Sequence, residues 1–379
     1  PTHAIIRASV ANTQVGWIPT LGYTHNNGQL TLGAEVRFHR SERWGIISTA
    51  DNYPQGVDPD FRIYSINGRR SIFSVFAREE YYLRKDVVLN LELQGVSSTY
   101  ELRNEKAGRI MTRYVTTSGG VVGNGGTLFS VPYFFTNPRL GLTWNISNEH
   151  RAFISLAHTT REPRMANLYT SEESFYTGAG PLFATDTTGG GTRYDFSSPL
   201  IKPESMTDVE LGWRFNNELW NTELTAYWMD FRDELVKNGR RDIFGNPMVG
   251  NAPRTLHRGV EMQVSRQLYR AESMRLSGGF HATLSDNRIM EYSYQSANGV
   301  FDLRDNPIAG FPSTLAQAFV SLQSGGFMAR VNVVHVGKMY ADNFGDNITV
   351  YRGQSQSDIP YANNVVDAST VVNLMMHYT

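Results

Sequence analysis

The chain contains no cysteine, which excludes disulfides, thiolate metal sites and cysteine nucleophiles. No stretch approaches the ~18 to 20 consecutive apolar residues of a membrane-spanning helix, and mean hydropathy is only -0.36. A chain of that profile crosses a bilayer only as a closed sheet, because backbone groups in lipid must pair within helices or barrels. Net charge is also missing. The formal value is -1 over 379 residues, which argues against nucleic acid or another polyanion as partner. The opening residues Pro1 to Val10 show no basic segment followed by an apolar run and a small-residue cleavage site, so the natural protein is expected to be longer. Catalytic signatures are absent too: there is no Walker-type loop, no Gly-x-Ser-x-Gly elbow and no His-Glu-x-x-His helix. The nine histidines stand singly, and neither a metal site nor a cofactor is expected.

What is present is a period of two. The chain is 12% aromatic and 40% hydrophobic. From Leu30 it places Leu32, Ala34, Val36 and Phe38 on one face and Thr31, Glu35, Arg37 and His39 on the other, the alternation of a strand with one dry and one wet face. Leu89, Leu91 and Leu93 oppose Asn90, Glu92 and Gln94; Val209, Leu211 and Trp213 oppose Asp208, Glu210 and Arg214; Val260, Met262 and Val264 oppose Glu261, Gln263 and Ser265. Several runs exceed the ~5 to 6 residues usual in soluble strands. Their wet faces are crowded with Glu, Arg, Asn and Gln, as a watery lumen requires.

Connections alternate between tight and long. Short ones fall at Asn26-Asn27-Gly28, Arg84-Lys85-Asp86, Asn148-Glu149, Asn216 to Glu218, Tyr269 to Glu272 and Ser324 to Gly326. Between them lie long segments: Ser48 to Arg69, Arg103 to Tyr133, Glu162 to Glu204, Asp233 to Pro253, Ser285 to Pro312 and Ala341 to Asn364. A soluble sandwich has no reason to gather its long loops at one end, whereas outer-membrane barrels pair short periplasmic turns with long extracellular loops. The predicted fold is therefore all-β, a transmembrane antiparallel up-and-down β-barrel wall of about 13 to 14 strands. Trp17, Tyr23, Trp44, Tyr82, Trp220 and Trp228 fall near strand ends, which suits interfacial girdles.

Several segments resemble TonB-dependent receptor barrels. They are Ser74 to Tyr81 (SVFAREEY), His158 to Pro163 (HTTREP), Lys202-Pro203-Glu204 with Glu210-Leu211-Gly212, Ala226 to Val236, Gly250-Asn251-Ala252 with His257 to Glu261, and Val336 to Asn343. Each motif is short, but their order and spacing cover about seventy per cent of the chain. The resemblance implies capture of a scarce ligand at extracellular loops, then passage through the lumen, driven by the TonB-ExbB-ExbD complex pulling on a plug domain. Ligands of that family are iron chelates (siderophore uptake), haem, cobalamin and oligosaccharides. A complete member carries an energy-coupling box, a plug and about 22 strands. Residues 1–379 are thus expected to be a partial barrel domain, with the plug outside this chain. Outer-membrane lipid is an expected partner, and a surface lipoprotein a further candidate.

Two groups of residues are singled out. The segment Met165 to Ser198 mixes rigid aromatics with Ser, Thr and Gly, as recognition surfaces do; Tyr169, Phe175, Tyr176, Arg193 and Tyr194 are its expected ligand contacts. Arg161, Glu162, Glu210, Arg214 and Glu261 are expected to face the lumen or plug. The bland alternatives are an ordinary loop held by an aromatic cluster and interior charges that satisfy one another. Rival functions are a passive porin or channel of about 14 strands, an outer-membrane hydrolase, for which no Ser/His/acid set is found, and a secreted all-β binding module.

Overall fold

The computed structural model describes residues 3–52, 55–56, 58–169, 174–175, 178–241, 247–296, 299–354, 359 and 361–379. Among the described residues thirteen strands form an antiparallel path in which each pairs with its neighbours in the chain, with the short strand Ile110–Met111 pairing off it. They are β1 (Ala4–Trp17, continued by Thr20–His25), β2 (Gly28–Ala50), β3 (Arg62–Arg84), β4 (Val87–Ala107), β5 (Thr127–Asn145), β6 (His150–Arg161) and β7 (Glu204–Asn216). After these come β8 (Trp220–Arg241), β9 (Pro247–Arg270), β10 (Met274–Glu291), β11 (Thr314–Ser324), β12 (Phe327–Val336) and β13 (Ser369–Tyr378). The two parts of β1 pair with one strand, β2. Pro19 interrupts the ladder because it has no N–H to donate, yet its carbonyl still accepts from the Ala34 N–H at 3.1 Å.

A single sheet, not a sandwich, carries the alternation. The apolar residues of the wall stand on its open side: Leu93 is 56% exposed, Ile154 48%, Leu211 61% and Leu284 58%. No second layer covers them among the described residues. Only lipid makes so continuous an exposed apolar belt tolerable, since soluble monomers rarely expose apolar patches of more than a few hundred Å². At the end with the short turns the belt is edged by Tyr23, Tyr82, Trp144 and Trp213, all exposed. There the Trp144 indole N–H donates to Asp86 at 3.1 Å and Arg266 lies 4.7 Å over the Trp220 ring, the amphipathic placement of an interface.

Turn lengths follow the expected alternation, with one correction. The segment Asp233 to Pro253, read from sequence as a loop, is mostly strand: β8 runs to Arg241 and β9 starts at Pro247. Proline, asparagine and aspartate there look like loop chemistry, but the ladder steps over them. Asp233 sits at φ 52°, no pairing joins it to Pro253, and pairing resumes with Glu234 opposite Ala252. The Asn251 amide restores the lost bonds by donating to the Asp233 carbonyl at 2.7 Å and to the Lys202 carbonyl at 3.0 Å. Strands likewise extend into the expected loops at Ala50, Arg62 and Ala107.

The inner face also departs from a uniformly wet lumen. On the upper half of β5, Phe129, Val131, Tyr133 and Phe135 are buried, while Pro132 and Phe134 point outward and are exposed. Both faces are apolar here because the long connections fold inward over the wall. One roof combines residues 108–126 with the described residues of 162–203, whose short strands form a four-stranded sheet; its core joins Leu128, Phe129, Leu168 and Phe183. A second roof gathers Ile289, Phe301, Phe344, Ile348 and Tyr351 over the tops of β8 to β10.

Candidate functional site

Between the first roof and the wall lies a cavity of about 340 Å³, within the range of small-molecule sites. Its wall side is built by alternation: Arg37, His39, Ser41 and Arg43 occupy consecutive inward positions of β2, and Arg70 is the inward partner of His39 on β3. Its roof is the single helical turn α1 (Met165–Leu168) with Tyr169 just beyond it. Apolar Ile66, Tyr100 and Leu102 complete the lining. Arg70 is held in place twice, by an ion pair with Glu162 and by lying 5.3 Å over the Tyr100 ring.

The lumen candidates fall into two sets. Arg161 pairs with Glu204 at 2.5 Å, and Arg214 with Glu223 at 2.7 Å. Glu162 is 8% exposed; besides Arg70 it accepts from the Ser98 hydroxyl at 3.2 Å. These three are charges compensated in place, as interior charges must be. Glu210 and Glu261 differ. They stand on the face opposite the apolar belt, on β7 and β9, in register with Tyr227 and Thr225 of β8, and among the described residues neither forms an ion pair.

Residues 6–379 match the family described as TonB dependent receptor-like, beta-barrel. The chain belongs to the TonB-dependent receptor family. Solved structures agree on the fold: the copper transporter OprC is 13% identical with a TM-score of 0.68, covering 99% of this chain and 50% of that one. The ferric yersiniabactin uptake receptor FyuA from Yersinia pestis is 10% identical, TM-score 0.61, covering 99% and 48%. The siderophore receptor PiuA from Acinetobacter baumannii is 13% identical, TM-score 0.61, covering 99% and 50%. The chain therefore spans about half the length of the solved structures it matches. No curated protein sequence matches it.

In this TonB-dependent receptor barrel the loop candidates are brought together in part. Tyr169 is buried, and its hydroxyl donates to Glu105 and sits 3.0 Å from the Tyr114 hydroxyl. Burial and the adjacent Glu105 carboxylate push the Tyr169 phenol far above its ordinary pKa. Tyr194 joins the same cluster, 5.2 Å from the Tyr114 ring and 5.5 Å from Phe196. Arg193 precedes it on the strand Arg193–Pro199 and lies against Gly189. Phe175 stands apart, 38% exposed and 5.8 Å from the Tyr64 ring. Tyr176 lies outside the described residues.

Sequence reading missed the β2 residues of the cavity. Arg37 and His39 were placed on a wet face, but nothing local marked them apart from the wet faces of other strands. The signal lay in the register that sets Arg70 and Tyr100 beside them. Because Tyr169 anchors the roof through Glu105, replacing it by phenylalanine should remove a buried hydrogen bond to that carboxylate and loosen the roof by about 1–3 kcal/mol. Limited proteolysis should then cut within 165–198 faster than in wild type, with the wall untouched; unchanged cleavage would remove Tyr169 from this anchoring role.

Proposed function

We propose that the chain is the barrel of an outer-membrane receptor that captures a scarce extracellular ligand and imports it with energy from the TonB-ExbB-ExbD complex. Residues 1–379 are read as one barrel unit, with the plug supplied by another part of the protein. The observation that carries this reading is the family match over residues 6–379, taken with long connections that pack inward against the wall. A passive porin needs an open channel, and here loops with their own apolar cores lie across the wall. Iron chelates and copper are the first ligands to test, because the solved relatives are named for them.

In this reading Tyr169 and Phe175 meet the ligand from the roof, while Arg193 and Tyr194 hold the roof in shape. Arg161, Glu162 and Arg214 keep the inner wall charged yet locally neutral, and Glu210 and Glu261 face the plug. Bacterial outer membrane is the expected site, with lipid against the apolar belt.

The test compares iron and copper accumulation in cells with and without the protein, each with the coupling complex intact or deleted. Accumulation should require both. Uptake that persists undiminished without the coupling complex would make the barrel a passive channel.

A further inference from the structure

The cavity beneath the first roof is lined with charge of one sign. Arg37, His39, Arg43 and Arg70 line it, and no carboxylate does so among the described residues. Two of these cations are already engaged, Arg37 by Glu35 and Arg70 by Glu162. Arg43 forms no ion pair among the described residues. Ser41, between His39 and Arg43 on the same inner face, has a buried hydroxyl oxygen with no hydrogen-bond partner there. Asn12 and Gln14 sit directly across the ladder from Ser41 and His39 and add amide donors to the same corner. The rest of the lining is apolar, with Ile66, Leu102 and Met165 beside the Tyr100 ring.

A concave site with clustered cations and low-dielectric walls concentrates positive potential. A buried hydroxyl and an uncompensated guanidinium both favour an incoming oxyanion, which satisfies the one as acceptor and neutralises the other. We propose that this cavity binds an oxyanion-bearing small molecule with an apolar body: a carboxylate or phosphate meets Arg43, Ser41 and His39, and the body lies against Tyr100 and Met165. The proposal rests on the receptor reading and narrows its ligand. It disfavours neutral sugars, which have no charge to offer Arg43, and bare metal cations, copper included, which the arginines repel, and so puts anionic chelates first.

The test uses two isosteric probes, naphthalene-2-carboxylate and naphthalene-2-carboxamide, titrated calorimetrically into the full gene product in detergent. The acid should bind at least about tenfold tighter than the amide, the equivalent of about 1.4 kcal/mol, and raised salt should narrow the gap. The double variant His39→Gln with Arg43→Gln should erase the acid's advantage over the amide. Arg43→Lys, which keeps the charge, should retain most of it and guards against a variant that fails to fold. Equal affinity for the two probes, heat from neither, or an advantage that survives the double variant would overturn the proposal. Coupled uptake in cells with no probe preference would sink the anion site alone. Probe preference without coupled uptake would sink the receptor reading and leave the site.

Discussion

Removing residues Met165 to Ser198 and joining the ends with a short flexible linker is expected to abolish receptor-dependent iron or copper accumulation, leaving the wall folded. The excised segment supplies α1, Tyr169 and the strands at Phe183–Asp186 and Arg193–Pro199, which is the whole roof side of the cavity. It contributes nothing to the wall ladder, whose adjoining strands β6 and β7 pair from His150 opposite Phe215 to Arg161 opposite Glu204. Losing one side of an enclosed site should cost roughly 100-fold or more in affinity, about 2.7 kcal/mol. Heat-modifiable electrophoretic mobility, the signature of an intact barrel, should persist. Accumulation that continues at the wild-type level would take the roof out of the binding site.

Leu211→Arg should destabilise the barrel by about 2–4 kcal/mol, the cost of an arginine near the bilayer midplane on the lipid face. Leu211 is 61% exposed and lies between Ile154 of β6 and Ala226 of β8, well inside the apolar belt. The companion variant Gln263→Arg changes the inner face, opposite Glu223, and should stay within about 0.5 kcal/mol of wild type. Both follow from denaturant titration of the full gene product folded into vesicles. Equal costs for the two would show that the faces do not see different solvents.

The wall was legible from sequence because its alternation reflects two solvents, and that constraint acts on every residue of a strand at once. Leu91 and Glu92, or Val260 and Glu261, declare their faces without any tertiary knowledge. Legibility fails where the chain leaves the bilayer. Above the belt β8 and β9 continue as strands through Asp233 and Pro253, where no lipid enforces a period and local turn chemistry misleads. The roofs are less legible for a different reason. Tyr169 and Tyr194 read as ligand contacts, and a loop rich in aromatics and small polar residues looks the same in sequence whether it packs on itself, on a partner or on both. Only the fold reveals that they pack around Tyr114. The cavity needed still more: Arg43, Arg70 and Met165 are far apart in the chain and meet through register and loop closure.

The absence of cysteine from these 379 residues suits a direct test, because within them an introduced thiol takes up a label at one position. Single spin labels at positions 260 to 265 of β9, read against lipid-soluble oxygen and a water-soluble nickel chelate, report the surroundings of each side chain in turn. Oxygen should reach the labels replacing Val260, Met262 and Val264, and nickel those replacing Glu261, Gln263 and Ser265. A profile without that two-residue rhythm, or with even-numbered sites shielded from both agents, would mean that protein rather than lipid covers the apolar face, contradicting the barrel.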